Sequence, residues 1–393
     1  MLPVLIMHLG IDGYGIYMQI ILIGSVLSIF TTSGMNISIV RYYHLNNYEI
    51  SICLGVIIIT SVIVGSFWFL TGTWLIRIFK LPLETLFLAF FISVLVSLKS
   101  IFFGYYRASE QYSKILSCFT TFEIIEVFVV GGLGFTNISI DIVKIILIIL
   151  FIRIFPISIA FIDIKPKLLI KKKQLIVWQR IKFGVSIIPK DLFLWLGHSA
   201  DRFVISYIMG PASVGIYASI YKIASIVKFL SQPVTFTEFP GLAKAWDSGD
   251  LQIFNRKKWE SAGLYLLISI PVLLLFIIMP AKILSLISKE LTNTKVLLIL
   301  ISLGLIIHSV QVLTGYYVYV FSNKVWRYSV IISTSNCIGL IFQYYLLITW
   351  DLTGAAFGSL IIYFFLWLIV LIDSSTFYKK KILCPNHIEH SQV

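Results

Sequence analysis

Apolar residues form long uninterrupted runs along this chain rather than short segments that alternate with polar residues. Most runs approach the roughly 20 residues that an α-helix needs to cross a bilayer. A transmembrane β-barrel would instead alternate within segments of about ten residues. Since lipid offers the backbone no hydrogen-bond partners, each run is predicted to be a helix. A stub at residues 1–9 precedes eleven predicted spans, at 14–40, 50–75, 83–104, 112–135, 142–162, 183–209, 214–233, 262–287, 296–321, 328–349 and 354–372.

The composition supports a membrane protein and argues against the main soluble classes. Hydrophobic residues make up 59% of the chain and charged residues only 12%, against roughly 25% charged in soluble domains. The net charge of +13 is interpreted as a topology signal, and no nucleic-acid partner is expected. The four cysteines stand singly, which argues against a disulfide framework or a zinc site.

Lysine and arginine concentrate in alternate loops and in the C-terminal tail. The largest clusters are at residues 171–173, 256–258 and 379–381. Because basic loops remain in the cytoplasm, this bias predicts that these loops and the C-terminus are cytoplasmic.

An internal repeat indicates two halves. LGIDGYGIY at residues 9–17 returns as MGPASVGIY at 209–217, and GYY at 104–106 returns at 315–317. Six predicted helices separate the copies, so both have the same orientation and a pseudo-two-fold axis should run along the membrane normal. The predicted fold is an all-α integral membrane protein of about twelve helices, the first one truncated. Its parts are an N-terminal half (1–162), a basic cytoplasmic linker that acts as the hinge (163–182), a C-terminal half (183–378) and a cytoplasmic tail (379–393).

Four charges lie well inside the apolar helices of the first half, away from the first few residues of each span. Arg153 lies about halfway along the sixth helix, residues 142–162 when the stub is counted as the first. Lys99 lies nearer the cytoplasmic end of the helix at residues 83–104. Glu123 and Glu126 are three residues apart and share one helix face. Charge inside the membrane is costly and usually marks a pathway or a paired site. The two glutamates are therefore candidate partners of Lys99 or Arg153, and both a functional and a purely structural role remain open.

The seventh predicted helix carries the most polar residues. One stripe at helical spacing contains Asp191, Trp195, His198 and Arg202, and a second face about 100° away contains Lys190 and Asp201. Such a helix should line a water-filled cavity between the halves, although a polar helix–helix seam is an alternative. Lys222 and Lys228 add positive charge on the eighth helix.

This excess of basic residues predicts an anionic cargo such as a diphosphate, which arginine binds bidentately. The candidate cargo ligands in these helices are Arg153, Arg202, Lys222, Lys99 and Lys190. Carboxylates and histidine can exchange protons, so the candidate ion-coupling residues are Asp191, His198, Asp201 and Glu126. The sequence has no Walker motif, no HExxH and no GxSxG. We therefore expect no enzymatic activity, cofactor or bound metal, and no direct use of ATP.

Several motifs resemble one transporter family. Residues 9–43 resemble the opening of Wzx-type O-antigen and capsule flippases of the multidrug/oligosaccharidyl-lipid/polysaccharide exporter superfamily. Residues 200–225 and 336–356 resemble its seventh-to-eighth helix segment and its late asparagine and GAA element. The matching N-terminal residues are Gly10, Tyr14, Gly15, Tyr17, Gly34 and Arg41. The family normally has a complete first helix before the LG element, so a late start or a truncation is expected here.

The resemblance implies a cargo of undecaprenyl-diphosphate-linked oligosaccharide, which two six-helix halves move across the bacterial inner membrane by alternating access. It adds Arg41 to the candidate cargo ligands. It also implies proton or sodium coupling, contact with membrane lipid and cooperation with other polysaccharide assembly proteins.

Two other functions fit a polytopic membrane protein. An O-antigen polymerase would need a sizeable outer loop, whereas the longest predicted loops here are cytoplasmic. A drug or cation antiporter of the same superfamily would usually carry cationic cargo, which a basic cavity would repel.

Overall fold

A computed structural model describes residues 2–42, 49–134, 141–166, 174–322 and 324–383, and every regular element in these ranges is helical. The first helices are α1 Leu2–Thr32, α2 Met35–Tyr42, α3 Glu49–Ile78, α4 Thr85–Ala108, α5 Tyr112–Lys114, a π-helix Ile115–Thr120, α6 Thr121–Leu133 and α7 Ile142–Ile164. Next come α8 Gln174–Val185, α9 Ile188–Met209, α10 Pro211–Phe229, α11 Ser231–Asp247, α12 Leu251–Ile278 and α13 Pro280–Ser285. The chain continues with a 3₁₀ helix Lys289–Asn293, α14 Lys295–Gln311, a π-helix Val312–Tyr316, α15 Tyr317–Phe321 and α16 Val325–Leu383. The predicted all-α fold class is confirmed.

Nine helices in the described ranges are long and apolar enough, by length and composition, to cross a membrane. The last has 51 residues, which is about 77 Å of helix and more than twice the roughly 30 Å of hydrocarbon. Its backbone leaves the helical conformation at Trp350 and Asp351. Gln343 Nε2 then donates to the Ala355 carbonyl oxygen at 2.9 Å, so α16 is an antiparallel pair of spans. With the more polar α9, the described helices match the eleven predicted spans.

The sequence repeat is also a repeat of backbone conformation. Gly10 has φ 68° and ψ 176°, and Gly210 has φ 86° and ψ 179°. This region is essentially restricted to glycine. Each glycine interrupts the helical backbone at the same position of its motif, and the stub predicted at residues 1–9 ends at the first of these breaks.

The two copies of the motif contact each other. A Cβ built on Gly15 would lie 1.9 Å from the Pro211 carbonyl oxygen, and one built on Gly215 would lie 2.2 Å from the Ile11 carbonyl oxygen. Gly15 and Gly215 are equivalent in the repeat, and so are Ile11 and Pro211, so each glycine meets the same position of the other copy. Such reciprocal contacts are those of residues related by a two-fold axis. Only glycine allows the two backbones to approach so closely.

Contacts divide the chain into two units. Residues 1–195 and 202–216 form the first unit, and residues 196–201 and 217–393 form the second. In the first unit, α2, α3, α4 and α7 pack around buried residues that include Met35, Ile39, Cys53, Phe102 and Ala160. In the second unit, α14 packs against α12 and α16, and it contacts both spans of α16 through Gln311–Tyr328 and His308–Tyr363. The boundaries of the two predicted halves stay a prediction.

The predicted linker, residues 163–182, falls partly outside the described ranges, and its ends belong to helices. Asp163 lies in the last turn of α7, where it accepts hydrogen bonds from Lys114 at 2.6 and 2.8 Å and from Tyr106 at 3.0 Å. Residues 174–182 belong to α8, which packs against α2 and α3 of the first unit. Each described end of this segment is therefore held by the first unit.

A buried ion pair fastens α8 to the start of α3. Arg180 Nη2 donates to Glu49 Oε1 at 2.6 Å, and Arg180 Nε lies 3.1 and 3.2 Å from the two carboxylate oxygens. Both side chains are almost fully buried. The guanidinium carbon also lies 3.6 Å from the ring centroid of Tyr42. The hydrogen bonds to Glu49 raise the pKa of Arg180 above its usual value, so the arginine stays charged.

Candidate functional site

A cavity of about 350 Å³ lies in the first unit between α4, α6 and α7. Most of its wall is apolar, but four ionisable side chains line it: Lys99, Glu123, Glu126 and Arg153. These are the four charges that the sequence places well inside the membrane helices of the first half. We call this cavity the four-charge pocket.

The four charges form two ion pairs. Arg153 Nε and Nη2 donate to the two carboxylate oxygens of Glu126 at 2.8 and 2.9 Å. Lys99 pairs with Glu123. The prediction that the two glutamates are partners of Lys99 and Arg153 is thereby confirmed. Because the charges cancel, an anion that enters this pocket meets no net positive charge.

Arg153 keeps one edge of its guanidinium available for a further ligand. Its side chain is 36% exposed, whereas that of Glu126 is only 9% exposed. The hydrogen bonds to Glu126 use Nε and Nη2, and Nη1 has no hydrogen-bond partner among the described residues. Since guanidinium presents five N–H donors in a planar fork, Arg153 can bind a second anion beside the carboxylate.

Local structure explains why these side chains face the same cavity. Glu123 and Glu126 share a face of α6 because they are three residues apart, and α6 follows directly on the π-helix Ile115–Thr120. Pro156 lies one turn after Arg153 in α7. Proline has no N–H, so the Ile152 carbonyl loses its usual helical donor at the wall of the pocket.

Two tyrosines belong to the repeated motif, and no role in cargo or ion binding was predicted for them. Tyr14 and Tyr17 are buried, with ring centroids 6.0 Å apart. The two tyrosines stand about one helical turn apart, beside the glycines of the repeat.

The other candidate cargo ligands lie on several elements. Arg202 is buried on α9 and belongs to the first unit, whereas Lys222 is exposed on α10 and belongs to the second. Arg41 and Lys190 lie in α2 and α9, but their side chains fall outside the described part of the structure. The structure therefore brings Lys99 and Arg153 together in one pocket and leaves the joint action of the remaining ligands a prediction.

The predicted polar stripe lies on a continuous helix. α9 runs unbroken from Ile188 to Met209. The polar residues of the predicted stripe therefore lie on one regular helix and share one of its faces. Trp195 Nε1 donates to Ser25 Oγ at 2.8 Å within the first unit. Asp191 is half-buried in the first turn, and the side chain of His198 falls outside the described part.

A second and much smaller cavity, of about 20 Å³, lies in the second unit. Its polar lining comes from Asp201, Asn336, Gln343, Ser359 and Tyr363. Gln343 Nε2 donates to Ser359 Oγ at 3.0 Å. A cavity of this size holds about one water molecule or one small ion. We call it the Asp201 cavity, and it contains one of the predicted ion-coupling residues.

The chain is thus a multi-pass membrane protein with ionisable pockets within its membrane-spanning helices. Residues 1–246 match the family model described as "Polysaccharide biosynthesis protein". Because the match covers more than half of the chain, the protein belongs to this family. No curated protein sequence matches the chain significantly.

Solved transporter structures share the fold. A multidrug resistance MATE family transporter of the MOP superfamily, solved in an inward-facing conformation, has a TM-score of 0.74 at 11% identity over 96% of this chain and 93% of its own. A MATE structure in the straight conformation has a TM-score of 0.55 at 13% identity, with 96% and 91% covered. The MATE transporter ClbM in complex with Rb⁺ has a TM-score of 0.53 at 12% identity, with 92% and 86% covered. The resemblance seen in the sequence is confirmed for family and fold.

Proposed function

We propose that this protein flips undecaprenyl-diphosphate-linked oligosaccharide, such as an O-antigen or other lipopolysaccharide repeat unit, across the bacterial inner membrane by alternating access. The central observation is the bidentate Arg153–Glu126 pair in the wall of an open pocket within membrane-spanning helices. Charges at such positions usually serve a transport pathway. The polysaccharide biosynthesis family supports the cargo class, and the transporter fold supports the movement. The C-terminus is proposed to be cytoplasmic.

Cargo binding at the four-charge pocket proceeds by exchange of anions. The diphosphate takes the exposed edge of Arg153 and competes with Glu126 for the rest of the guanidinium, while Lys99 supplies a second cation. Glu126 is mostly buried, so an unpaired carboxylate there is costly. We propose that Glu126 exchanges a proton as the partner of Arg153 changes, which links cargo binding to proton movement.

The remaining candidate ligands complete the binding of a larger cargo. Arg202, Lys222, Lys190 and Arg41 are proposed to contact the cargo at other stages of the cycle. Asp191 and His198 are proposed to act with Glu126 in proton coupling. The Asp201 cavity offers a second mode of coupling, because a carboxylate with amide and hydroxyl oxygens suits a small cation such as Na⁺.

A reconstituted transport assay tests the proposed function. Purified protein in proteoliposomes should move a fluorescently labelled undecaprenyl-diphosphate oligosaccharide between leaflets, which a membrane-impermeant quencher detects. Empty liposomes provide the control. Lengthening of the glycan would favour a polymerase, and uptake of a cationic dye without flipping of the lipid would favour a drug exporter. Absence of all three activities would contradict the proposal.

Asparagine in place of Asp201 should remove the stimulation of transport by a sodium or proton gradient, because the amide cannot neutralise a cation or bind a proton. Asp191→Asn should weaken the same stimulation to a smaller extent, since Asp191 does not line the small cavity. Initial transport rates with and without each imposed gradient measure the effect. Glu290→Gln, an exposed carboxylate in the 3₁₀ helix, is the matched control. Full gradient dependence in Asp201→Asn would exclude the Asp201 cavity as a coupling site.

A further inference from the structure

A cavity of about 420 Å³ lies in the second unit where α12 begins and α16 ends. Its polar and aromatic lining consists of Gln252, Asn255, Lys258, Trp259, Ser374 and Ser375. On α12 these residues recur at helical spacing and so form one face. The volume is far above the roughly 30 Å³ of one water molecule and within the range of small-molecule sites.

The position of the cavity is the boundary between hydrocarbon and water. The apolar run of α12 begins at residue 262, and that of the second span of α16 ends at residue 372. The polar residues of the lining lie just beyond these two limits, whereas Leu371 lies just within the second. Trp259 is half-exposed there, as aromatic residues of the membrane interface usually are. A ligand in this cavity would lie at the depth of lipid headgroups.

The chemistry of the lining suits an anion. Lys258 is only 4% exposed, although its side chain lines the cavity, and its Nζ lies 5.8 Å from the Trp259 ring centroid. The lining contains one cation and no carboxylate among the residues that the structure describes. Ser374 and Ser375 donate their protons to backbone carbonyls one turn earlier. The N–H groups that line the cavity are those of the Lys258 ammonium and of the Gln252 and Asn255 amides.

The surrounding surface suits acyl chains. Leu267 and Leu275 on α12, and Phe365 and Ile372 on α16, are large exposed apolar side chains on the membrane-spanning parts of the same two helices. Basic pockets between membrane helices are known to recognise anionic headgroups.

From these observations we infer that the cavity, here named the headgroup site, binds the phosphate of an anionic glycerophospholipid. The Lys258 ammonium and the two amides hold the phosphate, and the acyl chains follow the apolar faces of α12 and α16. This lipid is a resident partner of the second unit and is distinct from the transported cargo.

Native mass spectrometry tests the headgroup site. Purified protein is mixed with equal amounts of phosphatidylglycerol and phosphatidylcholine of identical acyl chains, and the ratio of bound lipids is measured. The wild type should prefer phosphatidylglycerol, and Lys258→Met should lower that preference about tenfold or more, since a charge-assisted hydrogen bond is lost. Arg256→Gln is the matched control, because this exposed residue lies outside the cavity lining, and it should retain the preference.

Two further arms make the result decisive. If Lys258→Met does not fold, the double variant Gln252→Leu/Asn255→Leu removes donors from two exposed positions and should show the same loss. Millimolar inorganic phosphate should leave phosphatidylglycerol bound, whereas displacement would show a site for free anions and overturn the lipid assignment. Equal retention of both lipids by the wild type, or an unchanged preference in the cavity variants, would also overturn it.

Discussion

Removal of the Arg153 guanidinium should lower the affinity for lipid-linked oligosaccharide by about ten- to a hundredfold, which corresponds to one charge-assisted hydrogen bond of about 1.5–3 kcal/mol. Arg153→Ala should therefore show little surface polysaccharide in cells that depend on this protein. Arg153→Lys should restore binding only in part, because lysine keeps the charge but loses the planar fork. Binding of labelled cargo to purified protein measures the change.

A double variant separates cargo binding from structural pairing. Arg153→Ala alone leaves the carboxylate of Glu126, which is 9% exposed, without its partner and should lower the yield of folded protein. Arg153→Ala/Glu126→Gln removes that buried charge and should recover the yield. Cargo affinity should nevertheless stay low in the double variant, compared with Glu126→Gln alone. Recovery of full affinity would show that Arg153 only neutralises Glu126. The exposed pair Arg256 and Glu260 provides a control, and Arg256→Ala should change neither property.

Loss of the Arg180–Glu49 ion pair should produce the largest change in stability. Arg180→Ala leaves Glu49, which is 1% exposed, as an uncompensated buried charge, and removal of one partner of such a pair costs about 3–5 kcal/mol. The free energy of unfolding, measured by denaturant titration in detergent micelles, should fall by this amount. Arg180→Met/Glu49→Leu should recover most of it, since apolar replacements of similar volume remove both charges.

Contact geometry one turn further along α8 provides an independent check. A Cβ on Gly184 would lie 2.1 Å from the Ser33 carbonyl oxygen, a backbone atom that cannot move aside easily. Gly184→Ala should therefore destabilise the contact of α8 with the first unit, whereas Gly263→Ala, where a Cβ meets nothing within 4 Å, should be tolerated. A wild-type unfolding midpoint for both Arg180→Ala and Gly184→Ala would show that α8 does not contribute to the stability of this unit.

Several features of the protein could be predicted from the sequence because they depend on local pattern. Apolar runs of membrane-spanning length specify helices because the backbone in lipid must form its own hydrogen bonds. The sequence therefore predicts two spans, 328–349 and 354–372, although the helical structure is interrupted between them only at Trp350 and Asp351. The repeat predicted that Gly10 and Gly210 occupy equivalent positions, and their backbone angles agree. The three-residue spacing of Glu123 and Glu126 placed both on one face before any partner was known.

Tertiary structure decided which distant residues meet. The sequence offered Lys99 and Arg153 as partners of either glutamate, and only the packing of α4 and α7 against α6 assigns Lys99 to Glu123 and Arg153 to Glu126. The periodicity of a helix fixes which side chains share a face, but the rotation and depth of one helix against another depend on the side chains at their interface, which hydropathy does not encode. Likewise, the basic composition of residues 163–182 indicated a linker, whereas the buried contact of Arg180 with Glu49, 131 residues away in sequence, exists only in the folded chain.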